Sequence, residues 1–211
     1  MKSTTSRTAA APRPKPFGIS VKLSRINTGL LVAIILVNAY IILLPVVPGL
    51  LFQLQKRNPA RMQHLEHVIH SPTAKPAAPQ PNQLIVPSMA FDEPIYEGPT
   101  LTTLRKGLWR LPIGSTPDKG GNTVIAGHRF TYTNPRGVLY NLNQVKIGDD
   151  MGVIWNNKKY VYKVTNIQQV PPNDTAVEAL STTSELTVYT CTPLWLPKDR
   201  LVVTAVLEAA P

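Results

Sequence analysis

The sequence is poor in the residues that usually carry catalysis and metal binding. It contains one cysteine, Cys191, among 211 residues, and four histidines, of which only His128 lies after residue 71. One thiol excludes an internal disulfide and a cysteine-rich metal site. Any thiol or imidazole chemistry after residue 71 must therefore use Cys191 or His128.

Acidic residues are almost missing from the first part of the chain. Residues 1–28 carry six Lys and Arg side chains and no Asp or Glu, whereas residues 84–211 carry 12 basic and 11 acidic side chains. The formal net charge of +10 therefore belongs mainly to the amino-terminal third. Such a tail is typical of an orientation signal and of contact with anionic lipid. Without a basic face or a phosphate-binding glycine loop in residues 84–211, the sequence predicts no nucleic-acid partner.

A long apolar run occupies residues 29–52, where Asn38 is the only strongly polar side chain. Its length is sufficient to cross a hydrocarbon core of about 30 Å. A cleaved signal peptide is the competing interpretation, but no small-x-small cleavage site follows. We therefore predict a single-pass signal anchor with residues 1–28 as a cytoplasmic tail and with the carboxy-terminal domain outside the cell membrane.

Residues 53–83 are predicted to form a stalk between the membrane and a domain at residues 84–211. Residues 53–70 are compatible with a short helix, and residues 71–81 are rich in proline and alanine, a composition typical of an extended spacer. His64, His67 and His70 recur every three residues but lack the H-E-x-x-H spacing of a zinc site. The sequence predicts no metal and no other cofactor.

The domain at residues 84–211 has the pattern of a mainly β protein. Short apolar runs alternate with turn signals at residues 84–86, 123–126, 152–155, 159–170, 185–190 and 201–207. Asn156 and Asn157 separate two of these runs, and because asparagine tolerates a positive φ they predict a hairpin turn. The pattern indicates an antiparallel sandwich or barrel.

Three chemically distinctive side chains lie at the ends of predicted strands. Cys191 ends one strand, His128 follows another, and Arg200 opens the last. Together they supply a nucleophile, a proton carrier and a permanent cation, which are the components of a cysteine acyl-transfer centre. The alternative is a buried structural cysteine, since free cysteines are among the most often buried residues.

The segments around these residues resemble the sortases, the cysteine transpeptidases of bacterial surfaces. Residues 187–191 read T-V-Y-T-C, close to the family's T-L-x-T-C signature, and an arginine follows at Arg200. Gly127, His128 and Arg129 match the family's histidine segment, and the resemblance extends over residues 84–207. The short loop at residues 194–199 is similar to the class C, D and E enzymes rather than to the housekeeping class A pattern.

The resemblance implies a fold and a reaction. The fold would be an eight-stranded sortase-type β-barrel with short helices near residues 138–142 and 175–180, preceded by one transmembrane helix. The reaction would be cleavage of an LPxTG-like sorting signal through a thioacyl-enzyme, followed by transfer of the acyl group to an amine. The implied partners are surface proteins that bear such signals and an amine from a cell-wall precursor or a pilin lysine.

The resemblance also assigns roles to single residues. Cys191 would be the nucleophile, and His128 would exchange protons with the leaving and incoming amines. Arg200 would donate hydrogen bonds to substrate carbonyls or to the developing oxyanion. Thr190 would border the oxyanion site. Trp195 is a candidate for the peptide groove on its position alone, because it lies in the loop between Cys191 and Arg200. Reference pKa values near 8.5 for cysteine and 6.5 for histidine leave roughly 1% of an unperturbed pair in the thiolate–imidazolium form.

Several alternatives remain open at the level of sequence. The enzyme could polymerise pilins, or it could be a thiol hydrolase that releases its peptide to water. A non-catalytic, membrane-tethered binding module would require a buried cysteine. Tyr132 and Trp109 are further candidates for the groove, and the acidic residues Asp174, Glu178 and Glu185 lack the spacing of a calcium loop.

Overall fold

The computed structural model describes residues 19–71, 80–132, 139–194 and 196–211, with side chains from Lys22 onward. The chain divides into two compact units, of which the first ends at Leu43 and the second is Leu44–Pro211. Helix α1, Ile19–Leu43, is the described part of the first unit. The helical stretch Lys22–Lys56 is long and apolar enough to cross a membrane, and it fits a single-pass membrane anchor.

The second unit begins with a break in the helix. Pro45 has no backbone N–H and disfavours a helical conformation at the residue before it, so the chain turns through the 3-10 segment Leu44–Val46. Helix α2, Val47–Lys56, and helix α3, Pro59–His70, follow. The Asn58 side chain caps α3 by accepting a hydrogen bond from the backbone N–H of Arg61 at 3.3 Å.

Both helices of the second unit pack against the domain that follows them. Phe52 of α2 belongs to the main hydrophobic core, although it is the last residue of the predicted membrane span. Leu65 and Ile69 of α3 are buried against Ile85 and Val161. The predicted helix at residues 53–70 is therefore present as the end of α2 and the whole of α3, and it is part of the folded unit rather than of a free spacer. Residues 72–79 of the predicted stalk lie outside the described residues.

Eight strands form a closed barrel, as predicted. The strands are β1 Gln83–Val86, β2 Phe91–Glu97, β3 Leu108–Arg110, β4 Asn122–Ala126, β5 Asp150–Trp155, β6 Lys158–Val170, β7 Glu185–Thr192 and β8 Asp199–Ala209. Their order around the barrel is β1-β2-β3-β4-β7-β8-β6-β5, and pairing of β1 with β5 closes it. The pairs β2/β3 and β4/β7 are parallel, and the others are antiparallel.

The turns agree with the sequence in most places. Asn156 and Asn157 have φ of 50° and 61° in the β5–β6 hairpin, which confirms the predicted turn. The predicted short helices are 3-10 turns, Leu142–Gln144 and Ala176–Glu178. The first begins at the end of the predicted range, and residue 138 lies outside the described residues.

Candidate active site

Strand β7 brings the three candidate residues together because its two neighbours are β4 and β8. It pairs in parallel with β4, in the register Ala126↔Tyr189, so both strands end at the same rim of the barrel. His128 follows the end of β4, and Cys191 is the second-last residue of β7. On the other side, Cys191 is the direct cross-strand partner of Arg200 in β8.

The alternation of β7 decides which side chains face the outside of the barrel. Leu186 and Val188 point into the core, so Thr187, Tyr189 and Cys191 point outward. Cys191 is exposed, whereas the residues before it are buried or half-buried. Because directly opposite residues in an antiparallel pair lie on the same face, Arg200 shares the outer face with Cys191. The exposure of Cys191 contradicts the alternative of a buried structural cysteine.

The backbone next to His128 is tightly packed. A Cβ atom on Gly127 would lie 2.9 Å from side-chain carbons of both Leu108 and Leu139, which is closer than van der Waals contact allows. The backbone N–H of Gly127 donates to the carbonyl of Tyr189 at 3.2 Å. Only glycine fits between Leu108 and Leu139 without displacing them, and this packing fixes the origin of the His128 side chain.

Thr190 ties the cysteine strand to the histidine strand. Its side chain is 1% exposed, and its hydroxyl donates to the carbonyl of Gly127 at 2.8 Å. The prediction placed Thr190 beside the oxyanion site. The structure places the residue on the wall of the cavity at Cys191, but the hydroxyl is already committed to Gly127. The side chain therefore holds the two strands in register.

Arg200 is held by a network that centres on Glu178. One Glu178 carboxylate oxygen accepts from the Tyr189 hydroxyl at 2.7 Å and from the Arg200 guanidinium at 3.2 Å. The guanidinium carbon also lies 5.0 Å from the centre of the Tyr189 ring. Burial, followed by the contact with Glu178, raises the pKa of Tyr189, so its hydroxyl stays protonated and donates. A carboxylate and an aromatic ring thus fix the orientation of the arginine.

The imidazole of His128 is partly withdrawn from water. Burial lowers the pKa of His128 below its ordinary value near 6.5, because desolvation disfavours the charged ring. At neutral pH the ring is therefore uncharged. A neutral imidazole can accept a proton and return it, as a general base and then a general acid must.

Two cavities meet at Cys191 and His128. The first has a volume of about 410 Å³ and contains Arg200; its wall is mainly apolar, with Leu101, Leu104, Trp109, Tyr189 and Thr190 among its residues. The second has a volume of about 300 Å³ and is bounded by Pro45, Arg129, Phe130, Tyr132, Leu194 and Pro197. A reaction at Cys191 can therefore be approached from two directions.

The remaining candidates divide between these cavities. Trp109 is 8% exposed in the first cavity and donates from its indole nitrogen to the carbonyl of Gly98 at 2.9 Å. Tyr132 lines the second cavity and is 53% exposed. Trp195 lies outside the described residues.

The sequence did not assign a role to Glu178 or to the 3-10 turn Leu101–Arg105. Glu178 was noted only as one of several acidic residues before β7, and its contacts with Tyr189 and Arg200 depend on a loop that folds back across the strand. Leu101 and Leu104 reach the cavity from a turn that has no strand or helix periodicity. In the part of the chain that the structure describes, no three His, Cys, Asp or Glu side chains cluster as a metal site.

Comparison with known proteins identifies the family. The family model described as "Sortase domain" matches residues 84–208. The chain is 26% identical over 121 residues to Sortase D of Bacillus subtilis, which covers 56% of this chain and 58% of that protein. It is 30% identical over 147 residues to Sortase A of Staphylococcus aureus, with 63% of this chain and 70% of that protein covered.

Solved structures give the same fold. The structure of sortase C-1 from Actinomyces oris matches with a TM-score of 0.55 and 27% identity, over 71% of this chain and 83% of the other. The chain spans somewhat more than half the length of the Bacillus subtilis relative. Since these similar proteins carry the labels A, C and D, the predicted subclass stays a prediction.

Proposed function

This chain belongs to the sortase family, and we propose that it is a membrane-anchored cysteine transpeptidase that attaches surface proteins to the cell wall. The observation that carries the proposal is that Cys191, His128 and Arg200 lie at one rim of the barrel, at or just beyond the ends of three adjacent strands. Its substrate would be an LPxTG-like sorting signal. Its second substrate would be an amine from a cell-wall precursor.

The proposed first half of the reaction forms a thioacyl-enzyme. In the minor form that reacts, the Cys191 thiol has given its proton to His128, which leaves a thiolate and an imidazolium. The thiolate attacks the carbonyl carbon of the scissile Thr–Gly amide, and Arg200 donates hydrogen bonds to the negative oxygen that results. The carbon–nitrogen bond then breaks, and the His128 imidazolium gives its proton to the leaving amine. The guanidinium suits the oxyanion because it is a permanent cation, and Glu178 and Tyr189 hold it in place.

The proposed second half restores the enzyme. The incoming amine attacks the thioester carbonyl and loses a proton to the neutral His128 ring, and Cys191 leaves as the thiolate. The lowered pKa of His128 suits the acceptance of this proton at neutral pH. The same lowering makes the thiolate–imidazolium form rarer than the roughly 1% of an unperturbed pair, so we expect slow turnover.

The two cavities suit two substrates. The mainly apolar cavity beside Arg200 suits the leucine and proline side chains of a sorting signal. The second cavity leaves room for an amine to reach the same sulfur after the first product departs. In this proposal Trp109 contributes to the peptide groove and Tyr132 to the approach of the amine.

The location follows from the chain before the domain. We propose that the chain crosses the cell membrane from residue 29 of α1 onward, with residues 1–28 in the cytoplasm, because that flank carries six basic and no acidic side chains. The catalytic domain then lies outside the membrane, where sorting substrates and wall precursors are found.

Hydrolysis is the second candidate activity. Cys191 is exposed, so water can reach a thioester formed on it when no amine is bound. A hydrolase would use the same three residues and differ only in the second nucleophile. The two activities are therefore distinguished by the product and not by the site.

Mass spectrometry of the products tests the proposal. The full chain, with helices α2 and α3 that pack on the barrel, is mixed with LPxTG-like and LAxTG-like peptides and a glycine amine. We expect a ligated peptide from the wild type and none from Cys191→Ala or His128→Gln. The matched control is His64→Gln, which changes an exposed histidine of α3 and should retain ligation.

The other products each have a defined meaning. Cleavage without ligation, in the presence of a saturating amine, would contradict transpeptidation and establish the hydrolase. A folded, reduced protein that gives neither product nor a thioacyl adduct, and whose Cys191 resists iodoacetamide at neutral pH, would contradict both activities.

A further inference from the structure

Helix α2 carries an apolar stripe that faces away from the domain. Val47, Leu50, Leu51 and Leu54 are 42%, 60%, 51% and 64% exposed. Their spacing of i, i+3, i+4 and i+7 places them on one face about 100° wide. We call these four residues the α2 stripe.

The opposite face of α2 is occupied by the domain. Phe52 is 3% exposed and lies in the main core, so α2 is held against the barrel and cannot rotate its stripe inward. From residue 29 to its end at Leu43, α1 has 15 residues and a length of about 22 Å, less than the hydrocarbon core of about 30 Å. The stripe therefore begins near the outer boundary of that core.

The position of the stripe in the chain indicates what covers it. Leu43 ends the apolar helix and Val47 begins α2, so the stripe starts where the chain leaves the membrane anchor. Lys56, Arg57 and Arg61 follow, and all three are exposed. An apolar face next to basic side chains is the pattern of a helix that lies in the interface of an anionic bilayer.

We propose that the α2 stripe docks into the interfacial region of the membrane that the chain crosses, with Lys56, Arg57 and Arg61 at the level of anionic headgroups. The partner is thus a lipid surface. This docking surface goes beyond the proposed catalytic function and does not depend on it. It depends on the amphipathic geometry of α2 and on the continuity of α2 with the anchor.

Docking would also act on a segment that forms part of the candidate site. The Pro45 carbonyl, just before α2, accepts a hydrogen bond from the Tyr140 hydroxyl at 2.8 Å. Pro45 also lines the second cavity with His128 and Cys191.

A fluorescent probe on the stripe tests the proposal. The full chain carries Cys191→Ala, so that one introduced cysteine takes an environment-sensitive dye, and is reconstituted into vesicles of phosphatidylglycerol and phosphatidylcholine. Leu51→Cys places the dye on the stripe. Leu180→Cys is the matched control, since Leu180 is an apolar side chain that is 76% exposed in the loop before β7.

We expect a blue-shifted emission and strong quenching by nitroxide-labelled lipid at position 51, and neither effect at position 180. Leu54→Cys provides a second position on the stripe, should the first label disturb folding. Equal behaviour of the stripe and control positions would overturn the proposal. A blue shift at position 51 that disappears when the protein is diluted in lipid would also overturn it, because a second copy would then cover the stripe.

The basic residues have their own test. In vesicles of phosphatidylcholine alone, quenching at position 51 should fall, because the attraction of Lys56, Arg57 and Arg61 to anionic headgroups is lost. The triple variant Lys56→Gln, Arg57→Gln, Arg61→Gln should reproduce this fall in anionic vesicles. Unchanged quenching in both experiments would show that the three basic side chains do not contribute to docking.

Discussion

The two sides of β7 hold their functional residues by different means. On the β4 side, Gly127 has no room for a side chain and the buried Thr190 hydroxyl joins the strands, so backbone packing sets the position of His128. On the β8 side, a partly exposed network of Glu178 and Tyr189 holds Arg200. His128 is thus placed by steric constraint and Arg200 by charge. A substitution that disturbs the steric support of His128 should therefore lower activity strongly, whereas one that weakens the electrostatic support of Arg200 should lower it less.

The largest effect is expected from Gly127→Ala on the β4 side. The added Cβ must push against Leu108 and Leu139, which should cost about 1–3 kcal/mol in the free energy of unfolding. A shift of His128 by about 1 Å should lower ligation by roughly 100-fold. Denaturant titration and initial rates measure both quantities.

Gly49→Ala is the matched control for this prediction. A Cβ there would lie 3.6 Å from the Tyr140 ring, an ordinary contact. Because Gly49 is inside α2, alanine should be neutral or stabilise the helix by up to about 1 kcal/mol. If the two variants behave alike, the steric support of His128 is refuted.

A smaller effect is expected from Thr190→Val, which keeps the shape of the side chain. The Gly127 carbonyl loses its hydroxyl donor in a buried position, and the free energy of unfolding should fall by about 1–2 kcal/mol. Ligation by Thr190→Val should also be slower than that of the wild type. Thr190→Ser retains the hydroxyl and should ligate at nearly the wild-type rate. Full activity in the valine variant would show that the hydrogen bond does not position the site.

On the β8 side, Glu178→Gln should lower kcat/KM about tenfold. This corresponds to about 1.4 kcal/mol, which lies between the free energies that exposed and buried ion pairs contribute. The amide still accepts from Tyr189 but loses the charge that orients Arg200. We expect the loss mainly in kcat, because the oxyanion is absent from the bound substrate and develops only as the sulfur attacks. A change confined to KM would instead place Glu178 in peptide binding.

The smallest effect concerns pH and His128. Its folded pKa lies below the ordinary value near 6.5, so the unfolded chain takes up the proton first as the pH falls. This group therefore leaves stability unchanged above that value and lowers it as the pH falls below it. Comparing wild type with His128→Gln at about pH 7.5 and about pH 5.5 isolates the contribution, since other titrations cancel. A wild type that loses no more stability than the variant would refute the lowered pKa.

The sequence predicted most strands because their apolar runs are long enough to show a pattern. It missed β2, which contains Asp92, Glu93 and Pro94, and β3, which has only three residues. Tertiary pairing overrides weak propensity in both. The eight-stranded barrel was predicted from the family resemblance, and the order of its strands was not predicted, because no local pattern specifies which strands become neighbours.

The three candidate residues were identified from the sequence, but the residues that hold them in position were not. Cys191, His128 and Arg200 stand out through their rarity or their position at strand ends. The contact of Glu178 with Arg200 spans 22 residues and depends on how a loop returns to the barrel. Likewise, Phe52 is buried in the barrel core, whereas in the sequence it is one of many residues of a long apolar run and nothing distinguishes it.

Closure of the barrel limits how the protein can recognise an extended peptide. Pairing of β1 with β5 joins the ends of the sheet, so neither of these strands is an edge strand. In the proposed function, a peptide would then be recognised mainly by side chains and loops around Cys191 rather than by pairing with an edge strand of an open sheet. A change of one cavity residue should therefore alter which peptide is chosen.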